Sequence, residues 1–204
     1  MNIEAIMCAA PVIPALVIDN PENAVLLAEA LVRGAIPAIE ITLRTPAALD
    51  AIRAVKSVHG AIVGAGTVLN EADLAAAIDA GAEFIVTPGL TESLGRAAIA
   101  SGIPFLPGVA NAGDIMRGLE LGLTHFKFFP AEASGGVSAL KALCAPFGMA
   151  RFCPTGGIDQ SNAHEWLALD QVICVGGSWL TPRGTPDVRS VEAAAKAASA
   201  LRDL

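Results

Sequence analysis

The run His125-Phe126-Lys127-Phe128-Phe129-Pro130 places an ammonium group among phenylalanines, in a stretch that otherwise reads as a buried strand. Withdrawing an unpartnered charge from water is costly, so burial favours the neutral amine, which is a nucleophile toward carbonyl carbon. The other lysines, Lys56, Lys141 and Lys196, sit in amphipathic helical stretches where a solvated amine is ordinary. The alternative for Lys127 is a strand-end residue that snorkels to water or pairs with a carboxylate. A carboxylate of the right kind occurs in Ile39-Glu40-Ile41-Thr42-Leu43-Arg44, where one parity is wholly apolar and the other carries Glu40, Thr42 and Arg44. A carboxylate beside a neutral amine can shuttle protons, and a guanidinium offers a forked grip on an anionic substrate. Glycine-bearing turns supply a third chemistry. Gly64-Ala65-Gly66-Thr67, Thr155-Gly156-Gly157 and Gly176-Gly177-Ser178 each let backbone N–H groups approach an anion such as phosphate, although a tight turn alone also accounts for them.

These residues need a scaffold that turns alternate strand positions toward one shared space. The chain repeats one sentence, an apolar strand and then an amphipathic helix. Strands are predicted at 12–18, 39–43, 62–65, 84–87, 104–109, 126–129, 151–154 and 172–175. Helices follow after Asn20-Pro21, Thr45-Pro46, Asn70, Thr91 and Asn111, and over 137–144, 161–169 and 188–201. Gly34, Gly81, Gly102 and Gly122 are the expected left-handed helix stops, and the last three mark a period of about 20 residues, the length of a compact βα unit. Eight such units with right-handed crossovers predict one (β/α)8 TIM barrel domain over 1–204, preceded by a short N-terminal helix. An open doubly wound sheet is the alternative, weakened because no G-x-G-x-x-G opens the first helix. In a barrel, Glu40, Thr42 and Arg44 face the axis near the mouth and meet Lys127 there, with Phe129 sharing the parity of Lys127. The turns after the seventh and eighth strands occupy the usual phosphate position. Pro88 walls the pocket, Pro107 is a rigid turn, Arg151 is structural at the opposite end, and Trp166 and Trp179 are packing residues.

Composition narrows the partners. Of 204 residues 53% are hydrophobic, yet no apolar run approaches the roughly 20 residues that cross a bilayer, so the apolar content belongs in a core. The net charge of -7 and the lack of a Lys/Arg cluster argue against nucleic acid and anionic membrane surfaces. Cys8, Cys144, Cys153 and Cys174 form no C-x-x-C and suit reduced core thiols. His59, His125 and His164 lack metal-ligand spacing, so neither a metal site nor a cofactor is expected.

Six motifs in order resemble the bacterial 2-keto-3-deoxy-6-phosphogluconate (KDPG) and 4-hydroxy-2-oxoglutarate (KHG) aldolases across essentially the whole chain. They are Glu40-Ile41-Thr42-Leu43-Arg44-Thr45, Val63-Gly64-Ala65-Gly66-Thr67-Val68, Val86-Thr87-Pro88-Gly89, Phe126 to Glu132, Arg151 to Gly157, and Gly176-Gly177-Ser178-Trp179-Leu180. The resemblance implies a metal-independent class I aldolase on a (β/α)8 barrel, a cytoplasmic homotrimer of the Entner-Doudoroff pathway acting on a phosphorylated keto acid. It makes Lys127 the Schiff-base residue and Glu40 the general acid/base. It sets Arg44 and Thr67 on the pyruvate-end carboxylate, Pro88 and Phe129 around the pocket, and Thr155, Gly156, Gly157, Gly176, Gly177 and Ser178 around the phosphate. The chain has no tyrosine, so a tyrosine proton relay is unavailable and more falls to Glu40. It departs from relatives at Gly108-Val109-Ala110-Asn111-Ala112, where they more often carry Ser or Thr; Asn111 is expected to cap the next helix instead. The alternatives are the 6-phosphogalactonate epimer as substrate, a metal-dependent lyase with Glu40 as ligand, or a non-catalytic phosphosugar-binding barrel.

Overall fold

The protein is described by a computed structural model covering residues 1–181 and 187–202. A short helix α1 (Ile3–Met7), capped by the Asn2 side chain on Ala5 N at 2.9 Å, precedes the repeating units as expected. The strands are β1 (Val12–Leu16), β2 (Ala38–Thr42), β3 (Ile62–Gly66), β4 (Phe84–Val86), β5 (Phe105–Leu106), β6 (Gly108–Val109), β7 (His125–Phe128), β8 (Arg151–Pro154) and β9 (Val175–Gly177). Helices α2 (Pro21–Arg33), α3 (Ala48–Val55), α4 (Glu71–Asp79), α5 (Glu92–Ser101), α6 (Ala112–Glu120), α7 (Gly136–Cys144), α8 (Ala163–Leu167) and α9 (Val188–Ser199) lie between and after them. Asn20, Asn70, Thr91 and Asn111 cap their helices through side-chain oxygens, as their positions predicted.

Every strand pairing is parallel, in two curled sheets. Six strands run in the order β5-β4-β3-β2-β1-β9, and three in the order β6-β7-β8. The single fifth strand expected over 104–109 is therefore divided. Pro107 has no N–H to give the ladder, so β5 ends before it and pairs with β4 while β6 begins after it and pairs with β7. Isolated bridges Phe152↔Val172 and Thr155↔Gly176 stand between β8 and the β9 region. The last ladder lies later than the predicted 172–175, because Gly176 and Gly177 pair with Ile13 and Pro14 and so belong to the strand itself.

Two apolar clusters follow the two strand parities. Ile39, Ile41, Phe126 and Phe128 join the large core shared with the helices. Ile13, Ala38, Phe84, Val86, Leu106, Cys153 and Cys174 form a second cluster that Ile6 and Met7 of α1 close from one end. Glu40 and Thr42 share the parity of Ala38, and Lys127 shares neither neighbour's parity with Phe126 and Phe128. Glu40, Thr42 and Lys127 are thus buried on the side away from the helices, whereas Arg44, the last residue of the polar stripe read from the sequence, is exposed.

Three local expectations are corrected. Gly34 has φ -84°, and the left-handed residue is Ala35 at φ 63°. Glycine is needed at 34 because a Cβ there would lie 2.3 Å from Ala195 Cβ, where α2 meets α9. Helix α3 starts at Ala48 without a side-chain cap, since the Thr45 hydroxyl donates instead to Ile18 O. Among the cysteines, Cys153 and Cys174 are buried, whereas Cys8 is exposed and Cys144 half-buried. Gly81, Gly102 and Gly122 do take positive φ, as predicted.

Candidate active site

Register brings distant residues together. Glu40 stands opposite Gly64 across the β2–β3 ladder, and Lys127 lies between Gly108 and Cys153 in β6-β7-β8. Lys127 Nζ is 3.4 Å from Glu40 Oε1, with side-chain exposures of only 6% and 4%. The same nitrogen is 5.2 Å from the centre of the Phe129 ring. Gly66 makes this arrangement possible, because a Cβ there would come within 1.9 Å of Glu40 Oε1. Thr42, one pleat further along β2, donates its hydroxyl to Leu16 O at 2.9 Å, which ties β2 to β1 beside the pair.

Arg44 lies beyond the end of β2 and is exposed. Its Nε donates to Thr67 Oγ1 at 3.2 Å, which engages the side of the guanidinium and not its terminal fork. Thr67 has φ 57°, an outlier for a β-branched residue. Strain of this type costs about 1–3 kcal/mol and gathers at functional positions.

Arg44, Phe129, Thr155, Gly156, Gly157, Gly177 and Ser178 line one cavity of about 440 Å³, together with Ala15, Val17, Ile158 and Thr181. That is a volume for a small ligand. The other predicted residues are outside its lining. Lys127 stands over the Phe129 ring that lines it, Glu40 stands against Lys127, and Thr67 accepts from Arg44. Gly176 backs onto Thr155, where a Cβ would meet Oγ1 at 2.2 Å. Pro88 packs against Gly108, whose added Cβ would meet the Pro88 carbonyl carbon at 2.2 Å.

Sequence reasoning missed the scaffold of the β8 turn. Gly156 and Gly157 have φ 105° and 80°. Glu132 N donates to Gly156 O at 3.1 Å, and Asn162 Nδ2 to Gly157 O at 3.0 Å. The trans peptides therefore aim the N–H groups of Gly157 and Ile158 away from those partners. The Glu132 carboxylate accepts from Trp166 Nε1 at 3.1 Å and Asn162 Nδ2 at 3.4 Å, so Trp166 is both a buried packing residue and the anchor of this network. Among the described residues no three His, Cys, Asp or Glu side chains gather as a metal-binding group.

The family described as "Aldolase: KDPG and KHG aldolase" matches residues 3–194. The chain belongs to this aldolase family. The 2-dehydro-3-deoxy-phosphogluconate aldolase of Zymomonas mobilis is 53% identical over 201 residues, 98% of this chain and 97% of that protein. The KDPG aldolase of Z. mobilis ZM4, solved with 3-phosphoglycerate, superposes with a TM-score of 0.96 at 54% identity, covering 98% of this chain and 95% of that one. The KDPG aldolase of Legionella pneumophila, solved with pyruvate captured as a covalent carbinolamine intermediate, gives 0.95 at 42% identity, covering 98% of both chains. The aldolase family's motifs therefore meet, in this chain, a buried amine–carboxylate pair beside a cavity with glycine turns.

Proposed function

We propose that this chain is a metal-independent class I aldolase, cleaving 2-keto-3-deoxy-6-phosphogluconate to pyruvate and glyceraldehyde 3-phosphate, and 4-hydroxy-2-oxoglutarate to pyruvate and glyoxylate. The observation that carries this reading is the Lys127–Glu40 pair, 3.4 Å apart and buried. A buried pair is weak evidence for stability, so its placement beside a cavity points to chemistry.

In this mechanism the Lys127 amine attacks the C2 ketone, and the resulting carbinolamine takes up a proton on its hydroxyl and loses it as water to give an iminium, the proton being returned when the last iminium is hydrolysed. Glu40 takes the proton of the C4 hydroxyl, the C3–C4 bond breaks, and its electrons pass to the iminium nitrogen to give an enamine. Glyceraldehyde 3-phosphate leaves with C4 as its aldehyde carbon. The enamine takes a proton at C3 from Glu40, and hydrolysis of the new iminium releases pyruvate and restores the amine. Arg44, oriented by Thr67, grips the C1 carboxylate, while Pro88 and Phe129 shape the wall around the reacting carbons. Thr155, Gly156, Gly157, Gly176, Gly177 and Ser178 form the phosphate end.

The same reading takes residues 1–204 as one closed (β/α)8 barrel. The division of the fifth strand at Pro107 between the two sheets, and the bridges from β8 to the β9 region, support a continuous ring. The barrel assembles as a cytoplasmic homotrimer, for which Leu69, Met116 and Met149, all more than half exposed, offer apolar surface. Coupled measurement of pyruvate release tests the activity. Cleavage of the gluconate substrate that persists in chelator supports the reading; preference for the 6-phosphogalactonate epimer, or loss in chelator, overturns it.

A further inference from the structure

The distal end of the cavity carries one more group than the family motifs name. Thr181 lines the cavity with Gly156, Gly157, Gly177 and Ser178, and the residue is only 9% exposed. Its Oγ1 is buried and has no hydrogen-bond partner among the described residues. Its backbone is engaged, since Thr181 N donates to Ser178 O at 3.3 Å and closes the turn that sets the side chain on this wall. Buried hydroxyls are almost always hydrogen-bonded, so one left unmatched on a cavity wall marks a bond completed by a ligand. The other such atom among the described residues, His125 Nε2, is not on this wall. Among the described residues, Arg44 is the only charged one lining the cavity. Among the described residues the far end offers an anion neutral donors, and the Thr181 hydroxyl is one of them.

We propose that Thr181 is a substrate-binding residue whose hydroxyl donates to a phosphoryl oxygen of the sugar acid, and that it favours phosphorylated over unphosphorylated substrates. The inference rests on the aldolase reading. T181V removes the hydroxyl and keeps the shape, whereas T181S keeps the hydroxyl. A hydrogen bond to a charged acceptor predicts that T181V raises KM for 2-keto-3-deoxy-6-phosphogluconate about tenfold with kcat nearly unchanged. T181S keeps the wild-type KM, and KM for unphosphorylated 4-hydroxy-2-oxoglutarate stays within about twofold in both variants. An unchanged KM of T181V for the phosphorylated substrate overturns the proposal. So does an equal rise for both substrates, which marks a purely structural role. Borohydride trapping of pyruvate by T181V reports an intact lysine site, and T181A replaces it if it does not fold. Wild-type protein that cleaves neither substrate instead refutes the aldolase reading itself.

Discussion

Replacing Gly66 with alanine should separate the Glu40–Lys127 pair while leaving the fold standing. Gly66 ends β3 opposite Thr42, and the added Cβ would lie 1.9 Å from Glu40 Oε1 and 2.5 Å from its Cδ and Cγ. An ordinary contact begins at 3.4 Å, so the carboxylate oxygen must swing by about 1.5 Å. That oxygen is the one that faces Lys127 Nζ. A displacement near 1 Å can cost about 10²-fold in rate, and losing a general acid/base costs about 10²–10⁴-fold. We expect kcat of G66A to fall by about 10²–10³-fold, with Tm lowered by only a few degrees because the Glu40 side chain, not backbone, gives way. Gly64 is the control. A Cβ there would strike the buried Phe84 ring at 2.4 Å, so G64A should lose about 1–3 kcal/mol of stability with a much smaller loss of kcat at temperatures where it is folded. Steady-state pyruvate release and thermal unfolding, measured on both variants, separate the two profiles. A folded G66A with near wild-type kcat would contradict a catalytic role for the Glu40–Lys127 pair.

Thr67→Gly relieves a left-handed β-branched residue, so Tm should hold or rise while KM for the keto acid increases about tenfold as Arg44 Nε loses its acceptor. His125 is half-buried, its Nδ1 lies 3.1 Å from Thr124 Oγ1, and its Nε2 has no partner among the described residues. Burial pushes its pKa below the ordinary value, with Arg151 in the same sense and Glu4 opposing. A lowered folded-state pKa means that stability is fully present above the unfolded value of about 6.5 and falls as pH drops from there toward the folded value. Chemical denaturation from pH 7.5 to 5 should show this slope, and H125Q should flatten it. Gly34→Ala forces a Cβ against Ala195 Cβ and to 3.1 Å from the backbone of Ala195 and Glu192. Denaturant titration should register a loss of about 1–3 kcal/mol with kcat unaffected.

What the sequence made legible was what periodicity controls. The contrast between Ile39, Ile41 and Glu40, Thr42 is a period of two, and so is that between Phe126, Phe128 and Lys127, so the buried pair could be anticipated before its distance was known. Helix caps at Asn20, Asn70, Thr91 and Asn111 were equally local. Tertiary circumstances stayed hidden. At Gly34 the spacing suggested a left-handed stop, but close packing against Ala195 demands the glycine and Ala35 takes the positive φ. In Gly64-Ala65-Gly66-Thr67 the strained residue is the threonine, not a glycine. Pro107 was read as a rigid turn, yet its missing N–H divides a strand between two sheets. Glu132, Asn162 and Trp166 meet across about 30 residues of chain, and no local pattern connects them. Thr181 is an ordinary loop threonine until folding buries its hydroxyl.

In the proposed reaction one buried amine, that of Lys127, holds the keto acid covalently. Borohydride reduction in the presence of pyruvate, followed by peptide mass mapping, tests it most directly. A single reduced pyruvyl adduct on Lys127, absent without pyruvate and abolished in K127A, is the predicted result. Labelling of Lys56, Lys141 or Lys196, or no adduct in protein that turns over substrate, would contradict it.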